Sequence, residues 1–329
     1  MALTVNESFK EFNKDFVNLK PERTILARSS RDWLINQLLN LPGKVDFFPS
    51  LYANMSIKYG SFARNSKIHP LDDIDLLLTF SADGATYTTH SFGKRYTLNV
   101  PQTAGNLYRL TNEDGSLNSI KFVNKLVSAI SQIEHYKSAE THRRQEAATL
   151  NLSSYEWNFD IVPSFYTDTG YYLIPDGSGQ WKASDPRVDQ ELAEKVNKQH
   201  SGKITQIIRL LKYWSKNTSM PTIPSYFFEI MILKFFENRA EVSDWIDVNL
   251  INFWTYFKTE IWNGVQDPKG FQGNLNTLEF EEILKIISKV KEAEEKAREA
   301  YKLETVDKDQ KRSIEKWAEI FGSDFPVYG

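Results

Sequence analysis

The chain has 329 residues, of which 41% are hydrophobic and 13% aromatic, enough for a packed core in two domains or one large one. A net charge of −3 argues against a protein built mainly to grip long nucleic acid. The absence of cysteine excludes disulfides, thiolate zinc sites and cysteine nucleophiles, and fits a reducing compartment.

The N-terminal stretch "MALTVNESFKEFNKDF" carries acids early and has no apolar signal core, so it does not read as a leader. No apolar run approaches the roughly 18 residues of a membrane helix, and the expectation is a soluble cytoplasmic protein with no membrane partner. Residues 5–40 have the apolar spacing of helix, punctuated by Pro21 and Pro42. "NMSIKYG" (54–60) reads as a short strand ending at glycine, and "DIDLLLTF" (73–80) as a central strand. Residues 81–115, rich in Gly, Thr, Asn and Ser, read as an insertion or loop; 116–136 reads as a helix. Strands follow at 146–152, 156–166 and 171–175. From Pro186 the pattern becomes helical, most clearly at Ile204, Ile207, Ile208, Leu211 and Trp214. The charged run 289–312 reads as a solvated helix face with i,i+4 pairs.

Successive side chains of a strand point to opposite faces, so Asp73 and Asp75 share one face and Ile74 and Leu76 the other. Carboxylates beside Leu76–Leu78 are costly unless something holds them. A divalent cation is such a holder, because Mg²⁺ takes few carboxylates and accepts substrate phosphates as further ligands. Asp160, between Phe159 and Ile161, is a third acid on an apolar strand. Three such acids can hold two ions about 4 Å apart, one for a leaving triphosphate and one for an attacking hydroxyl. Gly60-Ser61 supplies a phosphate-binding turn of backbone N–H groups, with a hydroxyl donor and the positive end of a following helix. Asp72 points to the opposite face and reads as structural; His69 reads as a turn residue; Arg143 or Arg144 is the rival partner for Asp160.

The pattern of G-S, the basic Arg64, D-x-D on an apolar strand and a later lone Asp resembles the DNA polymerase β-like nucleotidyltransferases. "IRLLKYWSKNTSMPTIPSYFFEIMIL" (208–233) looks like the helical half of the cGAS/DncV-like nucleotidyltransferases and of oligoadenylate synthetases. "FDIVPSFY" and "YYLIPDGSGQWKASDPR" resemble the bacterial branch, which makes cyclic oligonucleotide messengers in CBASS anti-phage defence.

The resemblance implies an α+β fold: a mixed β-sheet flanked by helices over residues 1–185, and a helical domain over 186–329 that closes the nucleotide pocket. It implies a transferase that turns nucleoside triphosphates, ATP included, into a cyclic di- or trinucleotide with release of pyrophosphate. Asp73, Asp75 and Asp160 would hold two Mg²⁺ or Mn²⁺ ions; Gly60, Ser61, Lys212 and Ser225 would hold the triphosphate, and Tyr226 would stack on the base. The product would reach a downstream effector. The cysteine-containing DNA grip of the animal sensor is missing, which argues against DNA activation. Some defence relatives are joined through their last residue to other proteins by a ubiquitin-like conjugating partner, and Gly329 is sterically suited to that. The rival enzyme reading is nucleotide addition to an RNA end, a protein or a small molecule.

Overall fold

A computed structural model describes residues 2–90 and 94–329. In chain order the elements are α1 (Val5–Phe12), α2 (Pro21–Leu39), β1 (Ile57–Tyr59), α3 (Gly60–Ala63), β2 (Asp73–Phe80), β3 (Thr86–His90), β4 (Arg95–Asn99), α4 (Ser119–Ile130), β5 (Glu140–Arg144), β6 (Ala147–Asn151), β7 (Asn158–Tyr166), β8 (Tyr172–Pro175) and β9 (Trp181–Ser184). The helices α5 (Pro186–Gln199), α6 (Ile204–Asn217), α7 (Ser225–Glu237), α8 (Ile246–Glu260), α9 (Phe280–Thr305) and α10 (Gln310–Phe321) complete the chain. The residues form two compact units: a helical one of residues up to 20, 65–69 and 191–329, and a sheet-bearing one of 21–64 and 70–190.

In the sheet unit the strand order is β1-β2-β7-β8-β9-β4-β3, with β6 also on β7 and β5 beyond it. The β2–β7 pair is parallel and its neighbours are antiparallel, so the sheet is mixed. Ile74, Leu76, Leu78 and Phe80 are buried on one face, where Phe80 and Phe165 meet Phe122 of α4. Asn118 caps α4 by accepting from the Lys121 N–H at 3.0 Å. Trp181 closes this core and donates through Nε1 to the Leu117 carbonyl at 2.9 Å.

Three segments differ from the sequence expectation. The stretch 81–115 holds the β3–β4 hairpin, whose Thr-rich first strand is mostly exposed and whose second strand turns Tyr96 and Leu98 inward. Residues 91–93, within that stretch, lie outside the described residues. The "QWKAS" segment, to which the sequence reading assigns no element, is strand β9, because Trp181 and Ala183 alternate into the core. The N-terminal helical run is broken: a π-helical turn, Asn13–Val17, follows α1, Asn18 is extended, and Pro21 opens α2 at its first position.

In the helical unit, Phe9 and Phe12 of α1 pack edge-on against Trp317 and Tyr213 at 5.0 and 4.9 Å, and Trp214 meets Trp254 at 5.5 Å. Thr4 and Glu7 form a reciprocal capping box on α1. Phe325, near the C-terminus, is buried among Phe9, Phe12 and Phe321.

Candidate active site

The strand register carries one row of side chains across four strands. Tyr59 of β1 pairs with Asp75 of β2, Asp75 with Asp160 of β7, and Asp160 with Thr149 of β6. Asp73 lies two residues before Asp75 and therefore on the same face. Neighbouring strands stand about 4.8 Å apart, so the sheet brings together the three carboxylates that sequence spacing singled out. Their face is half-buried, while Ile74, Leu76, Phe159 and Ile161 on the other face are buried.

Gly60 follows Tyr59 with φ +78°, a conformation that favours glycine. A Cβ built there would stand 1.7 Å from Oδ2 of Asp75, so only glycine lets the backbone approach that carboxylate. The helix after it, α3, is a single turn of four residues. Its macrodipole is correspondingly small, and the turn's anion-binding capacity rests on backbone N–H groups and the Ser61 hydroxyl.

Burial, and then the charges of Asp75, Glu146, Asp160 and Asp73, push the Tyr59 phenol well above its ordinary range. The phenol therefore stays protonated beside the acids. Among the described residues Asp160 forms no ion pair with an arginine: its Oδ1 accepts from Thr149 Oγ1 at 2.6 Å, and Arg143 and Arg144 are exposed on β5. Glu146, just before β6, lies 3.4 Å from Lys182 of β9. Among the described residues no three His, Asp or Glu side chains stand close enough to share one ion. The donor set nevertheless suits a hard divalent cation: three carboxylates on one sheet face, two of them in register.

Lys212, on α6, is buried. Its Nζ lies 2.5 Å from Oε2 of Glu229 and 3.4 Å from both the carbonyl and the hydroxyl of Ser66. Ser66 in turn donates to Oε1 of Glu229 at 2.9 Å. Ser225 is exposed as the first residue of α7. The Tyr226 hydroxyl donates to Asp267 at 3.0 Å and accepts from Lys269, whose ammonium stands 4.0 Å from the tyrosine ring centroid. Asp267 also collects the N–H groups of Lys269, Phe271 and Gln272. Burial alone would raise its pKa; the Lys269 charge and these N–H groups outweigh that and hold it below the ordinary carboxylate range. Glu229, Asp267 and Lys269 carry no sequence motif that would have marked them; nor do Tyr59 and Thr149, which strand register alone brings to the acids.

His69 is exposed, with its N–H on the Val17 carbonyl. Asp72 is exposed and accepts the Asn158 N–H through its carbonyl. Tyr328 bridges to Ala2, and the Gly329 N–H donates to the Ala2 carbonyl at 3.3 Å.

A mixed sheet with a glycine-serine turn after its first strand, two acids on the next and a third on the parallel neighbour defines a polymerase β-like nucleotidyltransferase core. No family model matches the chain. It is 45% identical over 334 residues to a probable cyclic nucleotide synthase of Bacillus cereus, covering 100% of this chain and 99% of that one. CdnC of E. coli MS115-1, solved in complex with HORMA-deltaN, superposes with a TM-score of 0.71 at 17% identity, over 97% of this chain and 98% of its own. Vibrio cholerae DncV, a cyclic AMP-GMP synthase, gives 0.69 at 10% identity, over 99% and 97%. The chain belongs to the cGAS/DncV-like nucleotidyltransferases, and it is an enzyme. Among the described residues no helix is long and apolar enough to cross a membrane.

Proposed function

We propose that this enzyme condenses nucleoside triphosphates, ATP among them, into a cyclic di- or trinucleotide that signals to an effector in anti-phage defence. The observation that carries the reading is the Asp75–Asp160 register pair with Asp73 on the same face. Asp73, Asp75 and Asp160 are the ligands for divalent metal, Mg²⁺ or Mn²⁺. Bound there, such ions neutralise triphosphate charge and lower the pKa of an acceptor hydroxyl.

The chain's own groups do the rest. Gly60 and Ser61 offer N–H and hydroxyl donors to phosphate. Lys212 adds positive charge and Ser225 a hydroxyl for the triphosphate, with Glu229 and Ser66 fixing the lysine. Tyr226, its hydroxyl fastened by Asp267 and Lys269, offers an aromatic face to a base. The acceptor hydroxyl attacks the α-phosphorus, the bond to the β-phosphate bridging oxygen breaks, and pyrophosphate leaves; a second transfer closes the ring. Gly329 is a separate candidate for conjugation by a ubiquitin-like partner. Gly329 is exposed, and mass spectrometry of the native protein showing only free Gly329 would refute the idea.

The deciding experiment is mass spectrometry of products from all four triphosphates with Mg²⁺ or Mn²⁺ and no other acceptor. Cyclic products are expected. Nucleotide incorporation only when RNA, protein or a small-molecule acceptor is added would overturn the reading in favour of terminal transfer.

A further inference from the structure

We propose that Thr149 is a positioning residue for the third carboxylate: its hydroxyl holds one oxygen of Asp160 so that the other is presented to a divalent ion. The inference rests on the metal-dependent reading above and adds a residue that no motif marks.

The sheet register puts Thr149 directly opposite Asp160 in the antiparallel β6–β7 pair. Thr149 is buried, 2% exposed, and β-branched, so its χ1 has little freedom in a strand. A buried hydroxyl needs a partner, and among the described residues this one donates to Asp160 Oδ1, at 2.6 Å, in the range of short charge-assisted O–H···O⁻ bonds. The bond has a directional consequence. A hydroxyl has one proton to give, so it engages one oxygen and leaves the second without a share in that bond.

The other flank of the row behaves differently. Tyr59 stands opposite Asp75 on β1. The two central acids are thus bracketed by two hydroxyl-bearing residues, and of these Thr149 is hydrogen-bonded to its acid. Without such a partner Asp160 would be free to rotate away from Asp75 and Asp73, whose charges repel it. Outer partners of metal-binding carboxylates typically matter by about 10- to 100-fold in metal affinity or activity.

The test compares Thr149→Val, which keeps the shape and removes the hydroxyl, with Thr149→Ser, which keeps the hydroxyl, and with Asp160→Asn. Mn²⁺ binding is read by electron paramagnetic resonance with a non-hydrolysable ATP analogue present, and turnover is read separately as kcat and KM. The expectation is a loss of about tenfold or more in Mn²⁺ affinity for Thr149→Val, with kcat falling more than KM rises, and recovery to within about threefold in Thr149→Ser. Should Thr149→Val not fold, Thr149→Ala removes the same hydroxyl. A valine variant that melts lower but binds Mn²⁺ and turns over like wild type would overturn the inference and leave only a packing role. If Asp160→Asn also binds Mn²⁺ normally, Asp160 is not a metal ligand, and the metal reading fails together with the role of Thr149; weakened binding in Asp160→Asn but not in Thr149→Val overturns the role of Thr149 alone.

Discussion

The α-carbon of Gly60 lies so close to the Asp75 carboxylate that a single added methyl group would stand 1.7 Å from Oδ2. Two consequences follow for Gly60→Ala. The backbone, at φ +78°, costs an alanine about 1–2 kcal/mol, and Asp75 is pushed aside. A displacement of this order at a reacting centre costs about a hundredfold in rate. Gly202→Ala is the control, because Gly202 has φ +83° but nothing within 4 Å of its Cβ position. Both variants should lose thermal stability, and only Gly60→Ala should lose product.

The three acids are expected to act together. Asn at position 73, 75 or 160 removes a carboxylate of the same shape. Charge stabilisation of several kcal/mol corresponds to about a thousandfold in rate. Pyrophosphate release measured with each variant, alongside circular dichroism, separates chemistry from folding. Undiminished release in Asp73→Asn and Asp75→Asn would remove these residues from the mechanism.

Lys212 and Glu229 form a buried ion pair, 9% and 1% exposed. Removing one partner strands the other charge in the core, at about 3–5 kcal/mol. Glu229→Gln and Lys212→Met should therefore each melt well below wild type in urea. The double variant Lys212→Met/Glu229→Leu should recover most of that stability. It should still fail to make product, because the positive charge for triphosphate is gone; a double variant that is both stable and active would assign Lys212 to structure alone.

Asp247 and Glu304 line one small cavity in the helical unit, with Val5, Phe9 and Trp245. Burial raises both carboxyls, and the Asp247 charge raises Glu304 further. The folded protein therefore binds more protons here than the unfolded chain does. Their contribution is fully present below the ordinary values of 3.8 and 4.5 and is lost as pH rises through the raised ones. Asp247→Asn should melt higher than wild type at pH 7, and the gap should close as pH falls from the raised value towards the ordinary carboxylate range. An unchanged gap across that range would mean that the pair does not titrate as assigned.

The legible parts of the fold were those with strong apolar patterning. β2 and β7 announce themselves as apolar strands interrupted by aspartate, and the helical character beyond Pro186 follows from spacing around Ile204–Trp214. The β3–β4 hairpin was illegible because a mostly exposed strand such as "TYTTH" buries too little to leave an alternating signal. β5, "ETHRR", hides for the same reason. The environment of Lys212 was illegible on other grounds: Ser66 and Glu229 lie 146 and 17 residues away, and no local rule links them. Thr149 and Tyr59 required the strand register, which sequence spacing leaves open when one strand is parallel and the next antiparallel.

On β2 and β7 alternate side chains face opposite ways: one face carries Asp73, Asp75 and Asp160, with Leu77 and Val162 buried further along it, and the other carries Ile74, Leu76, Phe159 and Ile161. A slip of one residue along either strand would turn Ile74 or Phe159 to the wet side and drive aspartates into oil. Misfolded forms with a partly competent centre are therefore not accessible by sliding. A change of register would therefore cost the reactive surface and its supporting interior together.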